Sequence, residues 1–364
     1  NGTETVRPYY FWNCTAMPNT PGFRFIYPMT LGCDHNGEQF YSWPMSEGKD
    51  LSRGTNYQDA SSIFAWHCDQ DFFGSYDDGA DHGVVAYANH HQVPGKKAWT
   101  WGQGSFGTMH QMDLTDSDGP YNEVQTGPLL TQAQVGRLEP KEAVAWREWW
   151  YPVRGIGGFT FANRDVAVNA SREGSQLRLR LIGTGKWAPV KITVCKVPTA
   201  ALPHPAAVSG EEAERRRGQR VLAKALCRIS PLEAVDLKFN MNAAAEPCEV
   251  VIMAEGRLLA RFQAPLPLPK RQAPEKQPAP KTATELAQAG WQEYLFARFP
   301  EAETQFRKAL EQDSHCVSAR TGLAYLNLDR DPAAAAKAAK AALAVDPNSG
   351  PAHFALAVAQ TRLG

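Results

Sequence analysis

Gly119-Pro-Tyr-Asn-Glu-Val-Gln-Thr-Gly127 is the stretch whose reading decides the fold. Asp116-Ser-Asp-Gly-Pro120 ahead of it is turn chemistry and Gly127-Pro128 closes it, so a short strand is expected between them. Side chains alternate along a strand. Asn122, Val124 and Thr126 therefore fall on one side, and Tyr121, Glu123 and Gln125 on the other. An aromatic ring, a carboxylate and an amide on one face make a poor core but a good sugar floor. The ring covers the apolar face of a pyranose, and Glu123 and Gln125 hydrogen-bond its hydroxyls. A solvated edge strand is the other reading of the same spacing.

Outward from this stretch, residues 1–170 are rich in Trp, Tyr, Phe, Gly and Asp, with short strand-like runs between turns. Strands are expected over 7–17, 23–28, 83–89, 97–101, 121–127, 143–153 and 158–162. Residues 171–263 change character. Gln176-Leu-Arg-Leu-Arg-Leu-Ile182 alternates strictly and four more strand-like runs follow, which suggests a small antiparallel β-sandwich with a short helix at 211–217. Six prolines between Pro265 and Pro280 mark residues 264–283 as a semi-rigid linker. From residue 284 to 364 the pattern is helical. Gly290, Ala302, Phe306, Ala309 and Leu310 occupy the small and aromatic positions of a tetratricopeptide repeat. Gly322, Leu326, Ala335, Ala342, Leu343 and Pro347 repeat them after a period near the usual ~34 residues. A third unit begins at Ala352. The fold class expected is mainly β with a C-terminal helical tetratricopeptide solenoid.

A chain of 364 residues has room for two or three cores, and its formal net charge is +0. Arg215-Arg-Arg217 is its only basic cluster, which speaks against nucleic-acid and anionic-membrane partners. No apolar run reaches spanning length. Seven cysteines, odd in number and without a Cys-x-x-Cys spacing, read as reduced thiols in a reducing, cytoplasmic setting. The start at Asn1 and the end inside a helical pattern read as a piece of a longer protein.

Phe25-Ile-Tyr-Pro28, Asp71-Phe-Phe-Gly74, Pro94-Gly-Lys-Lys97, Trp99-Thr-Trp-Gly102 and Tyr151-Pro-Val-Arg-Gly-Ile-Gly157 stand in this order. Together they resemble the bacterial family called domain of unknown function 5107, whose members commonly carry tetratricopeptide repeats behind that domain. The resemblance covers residues 1–170. It implies a branch of the galactose-mutarotase-like supersandwich, in which two large stacked sheets hold a sugar in a concave face. Such a fold needs roughly 250 residues, so its first strands are expected upstream of Asn1. Glu123-Val-Gln125 followed by Leu138-Glu-Pro140 is similar to the pattern closing the aldose epimerases, where the glutamate is the general base. By that resemblance the role falls on Glu123. The epimerase Asn-His-x-Tyr-Phe-Asn-Leu run has no counterpart histidine, for the nearest match is Tyr9-Tyr-Phe-Trp-Asn13.

His90 or His91 could supply the missing acid, since imidazole titrates in the right range, and a surface histidine is the alternative for each. Lys96 and Lys97, after the Pro-Gly turn, could donate to a sugar hydroxyl or carboxylate, and more often such a pair is simply solvated. Trp99 and Trp101 share a face as core or as stacking platform. The expected site is therefore Glu123 and His90 as acid and base, with Trp12, Asn13, Lys97, Trp99, Trp101, Tyr121 and Gln125 holding the sugar. Hydrolysis would need a second carboxylate across the scissile bond, with Asp71, Asp118 and Glu148 as candidates. No cofactor or metal is called for, because the acidic runs lack a ligand spacing. Two functions are open. One is a glycoside hydrolase or aldose-modifying enzyme. The other is a non-catalytic sugar-recognition module whose repeats dock a protein or peptide partner. Self-association of the chain is a further expected assembly.

Overall fold

The structure, a computed structural model, describes residues 12–116, 118–134, 136, 143–197, 220–241, 247–275, 280–295 and 297–364. Tyr9 to Phe11, Leu138-Glu-Pro140 and the helix expected at 211–217 lie outside the described residues. The chain divides into two compact units, one of Trp12–Leu130 with Ala145–Gln272, the other including Ala273–Gly364. The first is built mainly of strands, and residues Ala273–Gly364 of the second carry helices.

In chain order the first unit opens with β1 (Asn13–Pro18), β2 (Phe23–Ile26), β3 (Leu31–Cys33), β4 (Phe40–Ser42), β5 (Met45–Ser46) and β6 (Lys49–Asp50). There follow β7 (Ser61–Ala65), β8 (Phe72–Asp77), β9 (His82–Ala88), β10 (Gly95–Thr100), helix α1 (Ser105–Leu114), β11 (Tyr121–Gly127) and β12 (Glu148–Arg154). The stretch quoted at the outset is β11. These strands make a six-stranded sheet, ordered β1-β11-β10-β7-β3-β4, a four-stranded one, β12-β9-β8-β2, and a two-stranded one, β5-β6. The first two stack face to face. Ile63, Ala65, Ala98 and Val124 of the first bury against Phe23, Phe25, Phe73, Val84 and Ala86 of the second. Aromatic and β-branched side chains suit this two-layer packing.

Next come β13 (Phe161–Ala162), β14 (Val166–Glu173), β15 (Gln176–Gly183), β16 (Trp187–Lys196), β17 (Val221–Ile229), β18 (Val235–Asn240), β19 (Cys248–Ala254) and β20 (Arg257–Ala264). They form two sheets, β13-β14-β15-β18 and β17-β16-β19-β20. Leu177, Leu179 and Leu181 point into the core between them, as strict alternation requires, and Arg178 reaches outward to Asp236. The boundary drawn from sequence after residue 170 falls inside β14. A further apolar layer joins the two sandwiches, with Phe72, Tyr76, Val85 and Val153 meeting Ile156, Phe159, Ala162, Ala167 and Ile182. The start of the proline-rich segment lies along this unit. Thr30 donates to the Pro269 carbonyl, Arg271 N donates to Thr30, and the Arg271 guanidinium pairs with Asp69.

The helical unit holds α2 (Ala283–Leu295), α3 (Phe299–Gln312), α4 (Val317–Asn327), α5 (Pro332–Leu343) and α6 (Gly350–Leu363). Phe306 is fully buried, and its ring fills the space that side chains at Gly290 and Gly322 would need. That is why those two positions carry no Cβ. Ala302, Ala309, Ala335 and Ala342 are likewise fully buried, and small residues there let the helix axes approach. The fold is mainly β with a C-terminal tetratricopeptide-type helical array. Among the described residues, no helix is long and apolar enough to cross a membrane.

Candidate functional site

The register of the six-stranded sheet assembles the site. On β11, Asn122, Val124 and Thr126 turn inward and are buried. Tyr121, Glu123 and Gln125 take the other parity, Tyr121 and Glu123 half-buried and Gln125 buried at 3% exposure. Across the ladder, Lys97 stands opposite Gln125 and Trp99 opposite Glu123 on β10. On the other side Cys14 stands opposite Gln125 and Ala16 opposite Glu123 on β1. Phe64 of β7 lies opposite Lys97, so it belongs to the same face. Opposed residues of an antiparallel pair point the same way, which makes this one continuous surface.

Two ends can be distinguished on it. At one, the Trp99 and Trp101 rings meet edge to face at 5.1 Å, and Trp101 contacts Tyr121 at 6.2 Å. His110 of α1 stacks on Trp101 at 5.2 Å and on Phe106 at 4.2 Å, extending the aromatic wall. At the other end, the Trp12 ring lies over Gly95 and Gly127, where a side chain would strike it, and meets Phe64 at 5.5 Å. His35, in the turn after β3, packs on the same Phe64 ring at 5.8 Å.

Between these ends sit the polar groups. Gln125 Nε2 donates to Glu123 Oε2 at 2.5 Å. Lys97 is only 5% exposed, with Nζ 4.6 Å from the Trp99 ring centre and 5.7 Å from that of Phe64. Burial lowers the Lys97 ammonium to about 8, while the nearby Glu123 carboxylate pulls the other way. His35 is held below the ordinary imidazole value, first by burial and then by the charge of Lys97. Burial and Glu123 raise the Cys14 thiol, and burial raises the Tyr121 phenol.

The structure thus brings together Glu123, Gln125, Tyr121, Lys97, Trp99, Trp101 and Trp12. Asn13 belongs to the opposite parity on β1, and its amide donates to Glu148 at 3.1 Å. His90 lies in the turn after β9, where its Nδ1 meets Asp71 at 2.7 Å and its ring packs on His91. Burial raises the Asp71 carboxyl, but the His90 hydrogen bonds outweigh it and the net shift is downward.

The candidate second carboxylates are also engaged elsewhere. Besides His90, Asp71 accepts from the Tyr87 hydroxyl. Glu148, on the other sheet, accepts from the Trp146 and Trp150 indoles as well as from Asn13. Asp118 is exposed in the turn before β11. Lys96 turns inward, 1% exposed, with its Nζ 5.9 Å from the Phe73 ring centre. Among the described residues, no three His, Cys, Asp or Glu side chains converge as a metal site would.

Cys14, His35, Phe64 and His110 were not singled out from sequence. They reach the face through strand register and a short helix, for which local spacing carries no signal.

Residues 1–153 match the model of a family described as a domain of unknown function, DUF5107. Among solved structures, a TPR-domain containing protein from Parabacteroides distasonis is similar over 93% of this chain and 49% of that one, at 16% identity and a TM-score of 0.31. The β-glucuronidase of Ruminococcus gnavus is similar over 70% of this chain and 44% of that one, at 10% identity and a TM-score of 0.18. This chain therefore spans about half the length of the first and less than half of the second. Likenesses this weak carry no argument about activity or ligand.

Proposed function

We propose, for a chain whose residues 1–153 belong to the DUF5107 family, that the outer face of the six-stranded sheet is a saccharide-binding surface. On this reading the sheets of residues 12–154 are part of a galactose-mutarotase-like supersandwich. One observation carries the proposal: the half-buried Glu123 carboxylate, held by the buried amide of Gln125, is walled by Trp99, Trp101 and Tyr121. Aromatic rings take the apolar faces of pyranoses, and the polar pair takes hydroxyls. Recognition is the first function of this face. The free cysteines support a reducing, cytoplasmic setting, and the helical array is proposed to dock a protein partner.

A second reading, in which Glu123 performs acid–base chemistry, is favoured by one feature, the nearly buried Lys97 beside it. Glu123→Gln separates the two. For a recognition surface, saccharide affinity measured by titration calorimetry falls by about 1.5–3 kcal/mol, the value of a charged hydrogen bond. For an enzyme, turnover falls by about 10²–10⁴-fold with affinity little changed. If neither changes, both readings are wrong.

A further inference from the structure

We infer that the ligand of this face is a glycoside with an apolar aglycone. Its sugar lies along Trp99, Trp101 and Tyr121, and its aryl or alkyl group rests on the exposed side of helix α1. The inference rests on the saccharide reading above and names what the sugar carries.

Helix α1 shows its apolar side to water, whereas a surface helix ordinarily buries that side. The residues it buries are Gly107 and Gln111, while Phe106, Met109, Met112 and Leu114 are between 51% and 73% exposed. At about 100° per residue, Met109 stands opposite the buried pair, with Phe106 and Met112 on either side of it. The orientation is fixed by backbone contact, since a side chain at Gly107 would strike the Trp101 carbonyl. Among the described residues, no other stretch of ten exposes as many large apolar side chains.

Continuity, size and charge decide what covers this side. Rings run without a break from sheet to helix. Trp99 meets Trp101 at 5.1 Å, Trp101 stacks on His110 at 5.2 Å, and His110 meets Phe106 at 4.2 Å. A ligand on the sugar floor at Trp101 is thus led toward Phe106 and, a turn of helix on, Met109. The patch is also small. Phe106 to Met112 spans about 9 Å of helix, and Gln103, Ser105, Thr108 and Asp113 around it are exposed and polar. A stable protein interface needs about 800 Å² on each side, which this patch does not offer. Its charge is wrong for a lipid surface, because helices lying in that interface carry basic polar faces. No Lys or Arg stands between Lys97 and Arg137, while Asp113, Asp116 and Asp118 are exposed. A small uncharged apolar group joined to the sugar fits all three conditions, and methionines adapt to groups of different shape.

The test is titration calorimetry of the intact chain with a panel of methyl pyranosides and their 4-nitrophenyl and octyl counterparts, all below micellar concentration. The aryl or alkyl member should bind about tenfold tighter than the methyl glycoside of the same sugar, which corresponds to about 60 Å² of apolar surface removed from water. Met109→Gln with Met112→Gln should cut that gain to about threefold and leave methyl glycoside affinity within about twofold. Should the double variant fail to fold, photolysis of a bound 4-azidophenyl glycoside on the parent chain decides the question. Label within residues 105–114 supports the inference, and label confined to other segments overturns it. Equal affinity for methyl, aryl and alkyl members overturns it and leaves the saccharide reading standing, as does a gain still near tenfold in the double variant. Dimerisation of the parent chain, or its flotation with phosphatidylcholine vesicles, that the double variant loses would give the patch to a second copy or to lipid and overturn it as well. Binding of no glycoside removes both readings.

Discussion

Replacing Lys97 with methionine should make the β unit more stable at neutral pH and take away part of its pH dependence. Lys97 projects from β10 and is only 5% exposed, and burial lowers its ammonium from the ordinary 10.5 to about 8. Because the folded value is the lower one, the unfolded chain binds more protons between about pH 8 and 10.5. Stability should rise with pH across that window, and below it the penalty is present in full. The shift corresponds to about 3 kcal/mol, with the attraction of Glu123 already included. Methionine has a similar shape and no charge, so Lys97→Met should gain up to about 3 kcal/mol at pH 7 and about nothing at pH 10.5. Urea unfolding followed by tryptophan fluorescence reads this unit, since nine of the ten tryptophans lie in residues 12–187. Subtracting the variant from the parent at each pH cancels the other titrating groups. A difference that does not change with pH, or a variant clearly less stable at pH 7, would show that Lys97 is not the buried amine described here.

Gly322→Ala places a methyl group in the ring of Phe306 and should destabilise the helical unit by about 1–3 kcal/mol. Adding Phe306→Leu should recover part of that loss, and thermal unfolding of the double variant checks the pairing. Thiol labelling of the native chain should mark Cys14 first, because it is exposed whereas Cys33, Cys68, Cys195, Cys248 and Cys316 are buried. Mass mapping that finds one of the buried five ahead of Cys14 would contradict the packing.

How much of this was legible depended on the length of each pattern. β11 could be read because turn residues bound it and because seven residues give three full alternations. The helical repeats could be read because Phe306 requires glycine or alanine at fixed distances along the chain. The three-residue strands β3 and β4 are shorter than two periods. Phe72–Asp77 is buried at every position and so shows no alternation at all. Helix α1 went unseen because Gly107 interrupts a segment with almost no apolar side, and its His110 went unseen with it.

Of the expected site, the members on β10 and β11 were within reach of sequence, because a Pro-Gly turn and a period of two place them. The partners of Glu123 were not. His90 was attractive as a histidine close behind a strand, yet its turn carries it to Asp71. His35 sits some sixty residues from Lys97 in sequence and reaches it through Phe64, by pairing across three strands. The quoted motifs serve packing more than chemistry. Tyr27 donates its hydroxyl to the Lys97 carbonyl, Phe72 and Phe73 are core, and the Tyr151 hydroxyl donates to the Asn163 carbonyl.

The central claim is that saccharide lies on the outer face of the six-stranded sheet. A crystal structure of the intact chain with the saccharide it binds most tightly tests it directly. The account predicts a sugar ring in stacking contact with Trp99 or Trp101, with a hydroxyl within hydrogen-bonding reach of Glu123. A glycan seated on any other surface, with Glu123 and Trp99 bare, would contradict it.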